Sequence, residues 1–399
     1  MLSLRLANGF MPPTSVSSLA AANNAVRPIS LRHLLTQLGS RTKIIRVAFV
    51  RYVWQIRNPP SPASPLNLPL WSDQTVTEIF AAANGWSVHD YWSRVTLGLL
   101  ELQITFFPWR TLPGNQSQLD TTRQSVDPLV RQQAVADGVP LDQFDRMIAL
   151  IHPPPGDRGN VSGDLDVILD EIGPQSKNPP FWLEFFEHET GHLLGFDHAY
   201  GPSVNPQAYK DDFCVMGYTG NGVAGNPTNH PIVPQPILAE VQNTIVGPGN
   251  IWFSGRRLAA ANLYRTKDVG SVFAETSSVV RIGRESVQQV RLVALSEALL
   301  GNPVLAVATT AAGEVTVEYR LNTGDDAGLS AAPCLVLHSI GRTTVANPPP
   351  DGTVNPIVFE GSCNATVGSI VATTGGDVSA LVMAVDPDGR SVSVQIQVL

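Results

Sequence analysis

The segment His188-Glu189-Thr190-Gly191-His192-Leu193-Leu194-Gly195-Phe196-Asp197-His198 constrains this chain more than any other stretch. On an α-helix, residues four apart lie one turn above each other on one face. His188 and His192 can then send ring nitrogens to one ion at the ~2.0–2.1 Å that zinc prefers. Glu189 is turned about 100° around the axis, beside such an ion but outside its ligand set. Gly195 lets the chain turn sharply, so that His198 returns as a third nitrogen donor. Three protein ligands leave a fourth position open, which separates catalytic from structural zinc. The spacing predicts His188, His192 and His198 as metal ligands, with Glu189 as general base and acid toward a water in the open position.

Met216 follows within Phe213-Cys214-Val215-Met216-Gly217-Tyr218, a tight-turn candidate. Most methionines fill cores, but its place after the third histidine marks a turn lying under the metal. Together the extended histidine motif and this turn resemble the metzincin clan of zinc peptidases. Within the clan the gametolysin-like group is most similar: His198-Ala199 is followed by Tyr209-Lys210-Asp211-Asp212-Phe213-Cys214-Val215-Met216-Gly217. The resemblance implies zinc on the three histidines, Glu189 as base and acid, and Met216 as the hydrophobic floor. It also implies that Tyr218, placed as in astacin-like and serralysin-like members, binds zinc or stabilises the oxyanion.

A chain of 399 residues is too long for one ordinary core and suits two domains. Charged residues are 15% of it, against about 25% in an average protein, and the net charge is −8. Clustered Lys and Arg for phosphate neutralisation are not in excess, so nucleic acid is excluded as a partner class. No apolar run approaches the ~18 residues of a membrane span. The three cysteines, Cys214, Cys334 and Cys363, exclude a disulfide scaffold. Their spacing leaves open whether Cys334 and Cys363 are bridged or free.

Residues 1–42 read as an N-terminal extension or pro-segment, with a short helix at 29–38. Residues 1–72 contain no Asp, Glu or Cys, so the Cys and Asp latency switches known in the resembling peptidases are absent there. The first 25 residues show no basic start followed by an apolar core, so no standard signal peptide is visible. Residues 43–268 read as a mixed α/β domain. Strands are expected at 43–55, 100–107, 146–152 and 164–169. Helices are expected at 74–94, weak at Asn84-Gly85, at 125–136, from Asn178 through Leu194, and at 255–265. Residues 269–399 alternate Val, Thr, Ile and Leu between turn residues in eight short runs, the pattern of an all-β sandwich. Asp211 and Asp212 fit a solvated loop better than a cation site, and His338 a structural role better than a ligand.

The expected fold is thus a metzincin-like α+β or α/β catalytic domain, a mixed twisted sheet with an active-site helix, followed by the β-sandwich. The expected function is zinc-dependent endopeptidase, with a protein or peptide substrate and, by resemblance, export from the cell. The alternative is a zinc-containing binding protein, or a latent single-target protease or toxin, whose β-sandwich docks a protein or glycan.

Overall fold

The first strand, β1 (Lys43–Ile56), is apolar on both faces, as a central parallel strand must be. Its odd residues Ile45, Val47 and Phe49 enter one core, and its even residues Ala48, Val50, Tyr52 and Trp54 enter another. The protein's structure is a computed structural model that describes residues 41–56, 71–115, 126–152, 159–162, 166–170, 181–201, 207–208, 210–217, 251–252, 257–267, 269–326, 329, 332–341 and 356–399. The helix expected at 29–38 and Tyr218 lie outside these residues.

Two helices, α1 (Asp73–Phe80) and α2 (Val88–Val95), follow where one was expected. The break falls at the anticipated Asn84-Gly85, and Asn84 makes it. Its Nδ2 donates to the Glu78 carbonyl at 2.8 Å, while its Oδ1 accepts from the N–H groups of Trp86 and Ser87 at 3.0 and 2.8 Å. Ser87 then caps α2 and Ser72 caps α1, each satisfying one otherwise orphaned donor.

The chain continues through β2 (Leu100–Asn115), α3 (Val126–Ala136), β3 (Arg146–His152), β4 (Gly159–Ser162) and β5 (Asp166–Asp170). Together with β1 these strands form one sheet in the order β2-β1-β3-β5-β4. The neighbours β2/β1, β1/β3 and β3/β5 are parallel, and β4 alone runs antiparallel, to β5. α1 and α2 cover one face and α3 the other. Strand β4 was not anticipated, because a four-residue strand is too short for its alternation to register.

Phe181–Trp182 form a short strand, β6, and α4 (Leu183–Leu193) starts after them. Next come β7 (Ala199–Gly201), β8 (Gln207–Ala208), β9 (Ile251–Trp252), α5 (Ala260–Arg265) and α6 (Gly270–Ala274). The helix expected at 255–265 begins only at 260: residues 257–259 are not helical, and its N-cap is Ala259, with no side-chain cap.

The C-terminal region is rich in strands: β10 (Val279–Ile282), β11 (Ser286–Val293), β12 (Leu305–Thr310), β13 (Gly313–Arg320), β14 (Cys334–Ile340), β15 (Ile357–Asn364), β16 (Ile370–Ala372), β17 (Val378–Val385) and β18 (Ser391–Val398). They divide into a seven-stranded sheet, β10-β12-β13-β14-β15-β7-β8, and a four-stranded sheet, β11-β18-β17-β16. Side chains of both, including Val317, Leu337, Val382 and Val394, share one buried cluster. Strand β15 was missed, since Glu360, Gly361 and Ser362 interrupt its apolar pattern.

The larger sheet crosses the boundary drawn at residue 268. Strand β7 pairs in parallel with β15, Ile357 opposite Ala199. Leu295, Val304, Leu305 and Val307 belong to the same core as α1, α2 and α4. The molecule is therefore a mixed α/β assembly of several sheets whose two regions share a strand and a core. No helix among the described residues is long and apolar enough to cross a membrane.

Candidate metal centre

Helix α4 carries the first two histidines and is buried along most of its length, with Leu183, Phe186 and Leu193 in the main core. It ends in a Schellman motif: Phe196 N–H donates to the Gly191 carbonyl at 3.0 Å and Gly195 N–H to the His192 carbonyl at 2.9 Å. Gly195 sits at φ +85°, the left-handed residue such an ending requires. The chain reverses there and enters β7, which sets His198 opposite the helix.

The three rings converge. His192 Nε2 lies 3.1 Å from His188 Nε2 and 2.9 Å from His198 Nε2. Two bonds of about 2.05 Å at a tetrahedral angle would place their nitrogens about 3.3 Å apart, close to both separations. The His188 and His192 tautomers fit as well. His188 Nδ1–H donates to the Val215 carbonyl at 2.7 Å, and His192 Nδ1–H to the Phe196 carbonyl at 2.9 Å. Both Nε2 lone pairs are thereby turned toward the common point, as outer hydrogen bonds turn metal-binding imidazoles. Burial pushes the His188 imidazole down to about 3, so it is neutral, the form that binds metal. Among the described residues, His188, His192 and His198 form a group that could hold a metal ion. Glu189, half-buried on the same helix, is adjacent to the first of them.

Met216 is fully buried and packs against the helix at Gly191, the residue before the second histidine. A Cβ added to Gly191 would stand 2.5 Å from Met216 Sδ and 2.8 Å from the Trp92 ring. Gly191 is therefore a residue of the site that its place in the sequence did not disclose. The expected tight turn is present: Gly217 N–H donates to the Cys214 carbonyl at 2.8 Å, and the Met216 carbonyl accepts from Ala199 N–H at 3.0 Å. Cys214 Sγ accepts from Ala259 N–H and from Asn262 Nδ2 at 3.4 and 3.3 Å, joining the turn to α5.

Asp211 overturns the expectation of a solvated loop. It is fully buried, its Oδ1 accepts from Phe213 N–H at 2.9 Å, and its Oδ2 accepts from His338 Nε2–H at 3.0 Å. His338 stands on β14 and is buried too. Burial alone would lower its pKa, but the Asp211 charge outweighs that and raises it. Beside it, Arg320 of β13 donates to the Phe213 carbonyl at 2.8 Å, to Glu318 Oε1 at 2.9 Å and to Asp326 Oδ2 at 2.7 Å. The signal for these residues was present. Thr316, Glu318 and Arg320 are polar at every second position of an otherwise apolar strand, yet all are buried, so that face meets the rest of the protein. The chain matches no protein-family model and no curated protein by sequence comparison.

Proposed function

We propose that this protein is an exported zinc endopeptidase of metzincin type, similar to the gametolysin-like group. Its catalytic part spans residues 43–268 and its β-sandwich 269–399. One observation supports this above others: three imidazoles converge on one point, two of them with Nδ1 committed to carbonyls, and Glu189 follows the first in sequence on the same helix. A binding-only site has no need of that carboxylate. Imidazole donors suit zinc among several transition ions, and the open fourth position suits hydrolysis.

When bound, zinc supplies a Lewis acid that polarises the scissile carbonyl and acidifies water. Glu189 takes the proton from the attacking water and passes it to the leaving amine. Tyr218 donates to the developing oxyanion. His188, His192 and His198 hold the ion, and Met216 forms an apolar floor that keeps α4 and the turn in register.

The test is cleavage of an unfolded protein by the zinc-loaded chain, with chelated protein and Glu189→Ala as controls. Cleavage by the loaded chain alone, with Glu189→Ala still binding one zinc, is the expected result. Undiminished turnover in Glu189→Ala would eliminate the mechanism, and no cleavage by fully loaded wild type would favour the binding-protein alternative.

A further inference from the structure

We propose that His338 and Arg320, on the β-rich C-terminal sheet, are positioning residues for the metal centre, acting through the segment Asp211 to Gly217. This rests on the metal-binding part of the function proposed above, not on peptide hydrolysis.

The segment is held at two ends. On one side His338 Nε2–H donates to Asp211 Oδ2 at 3.0 Å, Asp211 Oδ1 accepts from Phe213 N–H at 2.9 Å, and Arg320 donates to the Phe213 carbonyl at 2.8 Å. Two residues on, the Val215 carbonyl accepts from His188 Nδ1–H at 2.7 Å. One further residue places Met216 against Gly191 of the metal-binding helix. A short run of backbone thus connects the C-terminal sheet to the bond that sets the tautomer and ring orientation of the first ligand.

The third ligand depends on the same sheet. His198 leads directly into β7, whose Ala199 donates to the Met216 carbonyl at 3.0 Å and pairs with Ile357 of β15. The floor and one wall of the site therefore hang from β7, β13, β14 and β15. Asp211, His338 and Arg320 are all fully buried. In a packed interior such groups are held in discrete arrangements rather than sliding ones, so losing one partner shifts the backbone it holds. Arg320 is fixed in turn by Glu318 and Asp326, and Glu318 Oε2 accepts from Ala260 N–H at 2.7 Å, which extends the clamp to α5.

The experiment uses the full chain. Zinc affinity is measured by competition with a chromophoric chelator, and ligand geometry by the visible absorption of the cobalt(II)-substituted protein, for wild type, His338→Leu, His338→Gln and Val317→Ala. The last removes packing from the opposite face of the same sheet and controls for general loosening. Changing an outer partner of a metal ligand typically costs 10–100-fold in affinity. His338→Leu, one step further out, is expected to weaken zinc about tenfold and to alter the cobalt spectrum. His338→Gln, which keeps a donor, is expected to restore both, and Val317→Ala to leave both unchanged.

Wild-type affinity and spectrum in folded His338→Leu would overturn the proposal, as would equal weakening in Val317→Ala. If His338→Leu does not fold, Asp211→Asn, similar in size and able to keep the bond to Phe213, is measured against the same two outcomes. A wild type that binds neither ion overturns this proposal together with the metal site. A wild type that binds zinc without cleaving protein overturns only the peptidase.

Discussion

Arg94 on α2 and Asp325 in the β-rich region close a two-bond ion pair, 2.8 Å from Nε and 2.6 Å from Nη2, across 231 residues of sequence. Arg257 approaches the same carboxylate at 3.5 Å and donates to the Arg94 carbonyl at 2.9 Å. Asp325 and Arg257 are each 2% exposed, whereas Arg94 is 23% exposed, so it is Arg257 for which water cannot replace the carboxylate. Leaving a buried charge without its partner costs about 3–5 kcal/mol. Asp325→Ala is expected to lose stability by that amount in urea unfolding, whereas a change below about 1 kcal/mol would mean that the two regions are not clamped there.

A larger consequence concerns the boundary at residue 268. Ending the chain there removes Leu295, Val304, Leu305 and Val307 from the core shared with α1, α2 and α4, the β15 partner of β7, and the acids that neutralise Arg94 and Arg257. Each fully buried Val or Leu contributes about 1.5–3 kcal/mol, and total stabilities are about 5–15 kcal/mol. The fragment 1–268 is expected not to unfold cooperatively, as followed by near-ultraviolet circular dichroism. A cooperative transition in it would make the C-terminal region a separable module.

What the sequence disclosed was what local periodicity encodes. The strands β1 and β3 and the ending of α4 at Gly195 were legible because burial repeats at a period of two or 3.6, and because a left-handed residue has few alternatives to glycine. The histidine cluster was legible for the same reason, its spacing being that of one helix face and one turn. His338 and Asp211 were not, because their meeting depends on a sheet formed by β14, β15 and β7, segments far apart in sequence. Glu318 and Arg320 carried a visible signal, polar residues at alternate positions of a buried strand, but not the identity of what they face. Tyr218 lies beyond the described residues, so its role rests on the resemblance.

Gly191 offers a compact test of the packing under the helix. Alanine favours a helix interior over glycine by about 1 kcal/mol, which alone would stabilise the protein. Here the new Cβ would stand 2.5 Å from Met216 Sδ and 2.8 Å from Trp92, well inside the ~3.5–4.0 Å of favourable contact. Trp92 cannot easily withdraw, being stacked on Phe196 at 4.9 Å with its Nε1–H bonded to the Glu187 carbonyl at 3.2 Å. Overpacking of this kind costs about 1–3 kcal/mol, so Gly191→Ala is expected to lose up to about 2 kcal/mol net and to weaken metal binding. A thermal midpoint above wild type would show that Met216 is free to move.

The cysteines decide between the two states the sequence left open. All three are free. Cys334 stands opposite Asn364, and Leu335 opposite Cys363, so alternation puts the two thiols on opposite faces of the sheet, Cys334 with Phe213 and Cys363 with the inter-sheet cluster. Burial pushes Cys214 and Cys334 up to about 12, and the thiolate is the reactive form. At pH 8 both are then held in the unreactive thiol form. Titration with a chromogenic disulfide is expected to find Cys214 and Cys334 unreactive in the native chain and three thiols after unfolding without reductant. One thiol after unfolding would establish a bridge.

Metal removal tests how far the site is preformed. His188 and His192 are tied to the carbonyls of Val215 and Phe196, and His198 stands directly before β7, so contacts of the protein itself orient these ligands. A metal that binds only the native state adds about 2.7 kcal/mol at a hundredfold excess over its dissociation constant. For a chain of this length that corresponds to roughly 3 °C in Tm. Chelation is therefore expected to lower Tm by a few degrees while leaving cooperative unfolding intact, unlike small zinc domains, which unfold without metal. His192→Ala removes a half-buried ligand and is expected to give the same Tm with and without chelator. Unfolding of the wild type on chelation would mean that the ion builds the site instead of entering it, and a zinc-dependent Tm in His192→Ala would place the ion elsewhere.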